Sequence, residues 1–271
     1  MRTKPAYVLV CAFVLCSAVG VAAAAGSSAQ DWLSRVPPLP ATAESAYAQW
    51  VDVSGGLTPN AASDKVTESI EAEALSLERA VPMPSSGSHV ALSARDRALV
   101  EKIDIFSDTG AVQQKVHAIR TEQSALLQKW HAELNSLEQR RIRARGALPA
   151  CHNDAGTPSQ ASIRDVEDSF SKEKLEIAVR YLAAFQPQLD KLLAALSPRI
   201  AHGDATLKAW NELSNPFKKA QLAPVARGAE REALLDVALI QRYIQDISKL
   251  AARSIVERNA LQRVYANAKG C

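Results

Sequence analysis

Apolar residues recur at steps of three and four through most of the chain beyond residue 63, the spacing that lines up side chains on one face of an α-helix. The clearest stripe lies last, from about Gly228 to Asn267. There Ala233, Val237, Ile240, Ile244, Ile247 and Ala251 alternate the two steps, and the stripe resumes at Ile255, Leu261 and Tyr265. A second stripe runs from about Ala111 to Arg145 through Val112, Val116, Ile119, Leu126, Trp130, Leu134 and Leu137, with a gap at Gln123. A third opens near Ser162 and Asp165, a capping-box-like pair, and carries Ile163, Val166, Phe170, Ile177, Leu182, Phe185, Leu189, Leu192 and Leu196. Pro187 sits inside it and removes one backbone hydrogen bond. The stripe continues on both sides, which predicts a kink rather than a stop.

Shorter segments surround these three. Residues from about Asp64 to Ala80 read as a helix, ended by Pro82, Pro84 and the Ser85–Ser88 stretch. Ser93, with Asp96 three residues on, predicts a capped start for a helix carrying Leu99, Val100, Ile103 and Phe106. Residues 198–226 read as a connection broken by Pro198, Gly203, Pro216 and Pro224, with a short helix from Thr206 to Leu213. Residues 26–61, with Pro37, Pro38, Pro40, Gly55, Gly56 and Pro59, read as an irregular arm. Within it, Ala43 to Val51 is a candidate short helix, and Trp32, Leu33, Trp50 and Val51 are candidate anchors.

Amphipathic helices need partners to bury their stripes, and short connections favour antiparallel neighbours. The expected fold is therefore all-α: an elongated antiparallel bundle of three long helices plus shorter N-terminal helices, spanning residues 62–271. Composition agrees, since aromatic residues make up only 5% of the chain and glycines number 11 in 271. That is poor material for a β-sandwich or barrel.

Residues 1–25 change the setting. Arg2 and Lys4 precede an apolar run from Ala6 to Val21 and an alanine tract ending at Ala25, the pattern of a cleaved signal peptide. The run is short for a membrane span. The expected location is outside the cytoplasm, periplasmic in a double-membrane bacterium and secreted otherwise. Charge changes with the cut. The chain has 32 Lys+Arg against 29 Asp+Glu, but two of the basic residues lie in segment 1–25, so the remaining 246 residues carry a net +1. That excludes a strongly basic nucleic-acid binder. No later segment is apolar enough to span a bilayer.

The cut also removes Cys11 and Cys16. Cys151 and Cys271 remain, in a compartment where thiols oxidise. Each follows the end of a long helix that runs the same way, so antiparallel packing places both at one end of the bundle. A disulfide between Cys151 and Cys271 is expected.

Candidate chemistry is sparse. No HExxH or CxxCH is present, and no Glu lies three residues before a histidine, so neither a metal site nor a haem or other cofactor is expected. Ser171 and Lys174 match S-x-x-K, but without the accompanying motifs of the enzymes that use it, so a solvated helix face is the expectation. Arg140, Arg141, Arg143 and Arg145 crowd one helix C-terminus, where cations suit the helix dipole. They are also a candidate patch for an anionic partner, with weak contact to an anionic membrane as one form. Trp130 and Trp210 are candidate linings of an interhelical groove, with core packing the expectation for Trp130. No catalytic motif stands out. The expected function is that of an exported, non-enzymatic helical-bundle protein of the cell envelope. It would act as an adaptor, scaffold or chaperone-like binder, with another envelope protein as partner. The alternatives are a small-molecule or lipid-binding bundle, or an enzyme with an unrecognised site.

Overall fold

A computed structural model describes residues 28–54, 61–77, 91–151 and 156–270. The described residues form seven helices and no strands beyond one isolated bridge between Ala150 and Pro158. In chain order these are α1 (Ala29–Arg35), α2 (Ala43–Ser54), α3 (Ala61–Ser76), α4 (Ala94–Val100), α5 (Thr109–Gly146), α6 (Gln160–Glu212) and α7 (Pro216–Val264). The chain is an all-α bundle. At about 1.5 Å per residue, the 53 residues of α6 and 49 of α7 extend roughly 80 and 74 Å.

α6 is the central helix, packed against α5 and, over the longest interface, against α7; α2 and α3 pack on α7. Cross-helix ion pairs fix the directions. Glu122, Glu133 and Arg140 of α5 meet Lys191, Arg180 and Glu173 of α6, so numbers rise on one helix as they fall on the other. Lys174 meets Glu257 and Arg199 meets Asp236 between α6 and α7 in the same sense. Three long antiparallel helices thus form as their stripes require. The stripes are buried: Trp130, Phe185, Leu196, Ile200, Leu234 and Ile247 lie in one continuous core.

Several boundaries differ from the sequence expectation. The connection expected over 198–226 is largely helix. α6 runs unbroken through Pro187, Pro198 and Gly203, and α7 begins at Pro216 and runs through Pro224 and Gly228. Only Leu213, Ser214 and Asn215 lie between them. Pro216 occupies a first-turn position, where a missing N–H costs little, and the Asn215 side chain caps the turn by accepting from the Lys218 amide at 2.9 Å. Each internal proline forfeits one bond, but flanking residues such as Ala195, Leu196 and Ile200 are buried, and that packing outweighs the loss. The cap of α6 is Ser159, accepting from Ser162, rather than Ser162 itself.

Gly203 is required by contact rather than by flexibility. A β-carbon there would stand 2.6 Å from the Ala233 side chain and 2.7 Å from the Ala229 carbonyl oxygen. Gly203→Ala gains about 1 kcal/mol of helix propensity but forces α6 and α7 apart against backbone. A net loss of about 1–2 kcal/mol is expected. Urea unfolding tests this, and a variant as stable as the parent would refute the tight crossing.

The arm expected to be irregular contains α1 and α2. Ser28 and Asp31 form a full capping box at the start of α1. The Trp32 indole donates to Glu73 at 2.6 Å. The Trp50 and Val51 side chains, like segment 1–25, lie outside the described residues. Ser93 caps α4, as its sequence suggests, but the Asp96 carboxylate does not reach back. It accepts from the Ser214 amide and hydroxyl at 3.0 and 2.7 Å, tying α4 to the α6–α7 turn. Those bonds, the amide first, hold the Asp96 carboxyl below its ordinary value. α4 ends at Val100, short of Phe106, and Glu101 caps it by donating its amide to the Arg97 carbonyl.

A polar cleft as candidate functional site

Near the end of the bundle where α5 finishes, the three core stripes turn polar together. On α5 the run Trp130, Leu134, Leu137 continues in step to Arg141. On α6 Lys174 stands in register between Phe170 and Ile177. On α7 Ser254 and Arg258 replace the apolar residues expected beyond Ala251. Antiparallel packing brings these interruptions to one level, and they line a cleft of about 540 Å³ with apolar walls at Leu134, Leu137, Phe170 and Leu261.

Six charged groups line it: Glu138, Arg141, Glu167, Lys174, Glu257 and Arg258. Three are acidic and three basic. Arg141 forks onto Glu138 at 2.5 and 2.7 Å and reaches Glu167 at 2.6 Å. That pairing, chiefly the hydrogen bond between them, pulls the Glu138 carboxyl below its ordinary value and lifts the Arg141 guanidinium above its own. Lys174 pairs with Glu257, and Arg258 reaches Glu44 of α2 at 3.2 Å.

The pairing is incomplete. Glu167 Oε2, Ser254 Oγ and Arg258 Nε are buried and have no hydrogen-bond partner among the described residues. Glu167 is 1% exposed and Ser254 3% exposed. A buried donor or acceptor left unmade costs about 1–3 kcal/mol, more when charged. Three such atoms belong to residues on α6 and α7 that line the cleft, and they lie within its wall with almost no surface of their own: one carboxylate acceptor, one guanidinium donor, and a hydroxyl that can serve as either.

The arginine quartet sits beside this cleft, mostly engaged. Arg140 forks onto Glu173, Arg141 holds Glu138 and Glu167, and Arg145 reaches Glu167 at 3.2 Å. Arg143 is exposed and donates to the Gln139 carbonyl. Ser171 and Lys174, expected on a solvated face, both line the cleft. The two tryptophans pack rather than line it. Trp130 is fully buried and stacks on Tyr181 with ring planes 2° apart. Trp210 packs on a small cluster around Leu213 and donates to the Lys219 carbonyl at 2.7 Å.

Cys151 stands near the same end. Its amide donates to Thr157 at 2.8 Å, and the Ala161 amide donates to Lys269 at 3.2 Å, which brings the chain before Cys271 back to the start of α6. Cys271 lies outside the described residues, as do His89 and His152. Among the described residues no three histidine, cysteine, aspartate or glutamate side chains converge as metal ligands, and no helix is long and apolar enough to cross a membrane.

A second cavity, about 450 Å³, opens between the α4–α5 loop and the α6–α7 crossing, beside Phe106, His202 and Val225. Its most buried cation, Arg199, is forked onto Asp236. Burial pushes the Asp236 carboxyl up, and Arg199 opposes the shift.

Comparison with known protein families, with curated proteins and with solved structures finds no match for this chain.

Proposed function

We propose that this chain is an exported, non-enzymatic binding protein of the cell envelope, and that its binding site is the polar cleft among α5, α6 and α7. Two kinds of binding suit such a bundle: adaptor or scaffold for another envelope protein, and receptor for a small molecule. The second is the better supported. One observation carries it: a cleft whose volume falls in the range of small-molecule sites joins apolar walls to polar and charged residues, among them Glu167, Ser254 and Arg258, whose buried polar atoms are not all satisfied among the described residues. The arginine quartet argues less for an anionic partner, because three of its four guanidiniums already face carboxylates.

The export reading rests on residues 1–25, and N-terminal sequencing of the exported protein should begin near Gly26. The proposed Cys151–Cys271 disulfide is supported by the bonds that return the C-terminus to the start of α6. On nonreducing electrophoresis the protein should run as a monomer that shifts on reduction. A dimer band abolished by reductant would replace the internal pair with an intersubunit one.

Native mass spectrometry of protein purified from its own envelope tests the receptor reading. A stoichiometric small-molecule adduct is expected, lost when Leu261→Trp fills the cleft. Without an adduct, or with one retained by that variant, the cleft is not a receptor site. A stoichiometric protein recovered by crosslinking, with no adduct, would restore the adaptor reading.

A further inference from the structure

We infer that the cavity between the α4–α5 loop and the α6–α7 crossing is a second binding site, and that it takes an uncharged, apolar small molecule. The inference does not rest on the polar cleft. From Lys174 in the cleft wall to Arg199 in the cavity wall, α6 advances about 38 Å.

One wall is a loop that the fold pins at two points. Ile103 is buried in the small cluster around Leu213. Phe106 packs on the main core and against the His202 ring, with centroids 5.4 Å apart. Between these anchors the Asp104 carbonyl accepts from His202 Nε2 at 3.1 Å. The space so enclosed is about 450 Å³, within the range of small-molecule sites. Ile105 lines it, yet is 77% exposed. A guest would cover this apolar side chain, which the chain itself leaves in water.

The opposite wall is α7, with Pro224, Val225, Gly228 and Ala229. Gly228 is the second ground. Proline aside, glycine is the poorest helix former, and this one lies in the interior of a long helix. Its φ is not positive, so no turn requires it. A β-carbon there would meet nothing within 4 Å, whereas at Gly203 it would strike α7. Neither backbone conformation nor a neighbouring side chain accounts for the glycine. The space that a side chain would occupy borders the cavity that Gly228 lines.

The third ground is charge. The lining has two acidic groups, Asp104 and Glu232, and two arginines, Arg199 and Arg231. Both acids are exposed, while the Arg199 side chain is largely buried. Arg199 is already forked onto Asp236, and Arg231 is engaged within the chain. An anion therefore finds no unneutralised cation, and a cation would lie beside a buried guanidinium. Either charge would lose its hydration without compensation. An uncharged guest loses nothing of this kind and covers Ile105, Phe106 and Val225.

The test is calorimetric titration of the full mature chain with butylbenzene, 4-phenylbutanoate and 4-phenylbutylammonium, which share a phenylalkyl body and differ in charge. Butylbenzene is expected to bind, and each charged analogue to bind at least about tenfold more weakly. Gly228→Leu fills the cavity and should weaken butylbenzene at least about tenfold, with a urea midpoint no lower than the parent's. Ile105→Ser should weaken it several-fold at unchanged stability, because that side chain is exposed in the free protein. Should Gly228→Leu fail to fold, Ile105→Ser decides. Binding of either charged analogue as tight as that of butylbenzene overturns the inference. So does affinity unchanged by these substitutions. Butylbenzene binding lost in Leu261→Trp also overturns it, and assigns the probe to the polar cleft. Silence from all three probes overturns it too, and leaves the cleft to its own adduct experiment.

Discussion

Trp130→Ala is expected to destabilise the folded chain by about 3–5 kcal/mol, the usual cost of deleting a large buried aromatic. Trp130 is 0% exposed at the centre of the α5–α6 interface. It stacks on Tyr181 at 5.4 Å between centroids and leans on Phe185 at 6.2 Å, while Phe185 meets Tyr243 of α7 edge-on. The indole therefore begins an aromatic chain that crosses all three long helices. Truncation opens a cavity that two long packed helices cannot close by a local shift. Domains have only about 5–15 kcal/mol in total, so the variant should unfold at markedly lower urea. Trp130→Phe should cost much less. It keeps a ring in the stack and removes an indole N–H that has no partner among the described residues. A small effect of the alanine change would mean that α5 is not held by this contact.

Glu230→Gln is expected to stabilise the chain by a few kcal/mol at pH 8 and by little at pH 5. Glu230 is 2% exposed and accepts from the Ala29 amide at 3.0 Å. Asp204 accepts from the same amide at 2.9 Å and from Gln30 at 3.0 Å, so two carboxyl groups hold the start of α1. Burial, and next the neighbouring Asp204 charge, push the Glu230 carboxyl up to about 8 from an ordinary 4.5. A raised acid pKa means that the folded state binds the proton more tightly than the unfolded state. The contribution to stability is therefore full below about pH 4.5 and declines as pH rises toward 8. Above that it stays lost. Glutamine keeps the acceptor for Ala29 and a donor for Asp204 while removing the ionisation. Urea midpoints of both proteins should diverge as pH rises from 5 to about 8 and stay a constant distance apart above it. Parallel curves would show that Glu230 ionises normally.

The candidate site was present in the sequence as three faults in otherwise regular stripes. Arg141, Lys174 and the pair Ser254 and Arg258 each stand where the period asks for an apolar side chain. Read singly, each is an ordinary polar or charged surface residue. Their meaning comes from the antiparallel register of α5, α6 and α7, which sets residues far apart in the chain at one level. Glu167 carried no such signal. It lies one position past Val166 of the stripe, and only the approach of Arg141 and Arg145 shows that it is buried. Likewise, nothing local distinguished Glu230 from the other acids of α7 until α1 folded over it.

From its sequence alone the chain determines its class, its three long helices and their faces, because burial of a 3.6-residue period is decided within each segment. The direction in which those helices pack follows as well, from their short connections. Where helices stop is decided elsewhere. Pro198, Pro224 and Gly203 are breakers by local preference, yet α6 and α7 continue through them. The contacts between the two helices outweigh one lost hydrogen bond per proline, and Gly203 is what lets the backbones approach. Within the arm, α1 and α2 form because tertiary contacts add to their local caps: Ala29, Ala43 and Ala46 are fully buried where the two helices pack against α6 and α7. Tertiary structure also decided which charges matter. A charge is solvated, paired or stranded according to what lies across from it, and that neighbour is set by packing rather than by adjacent sequence.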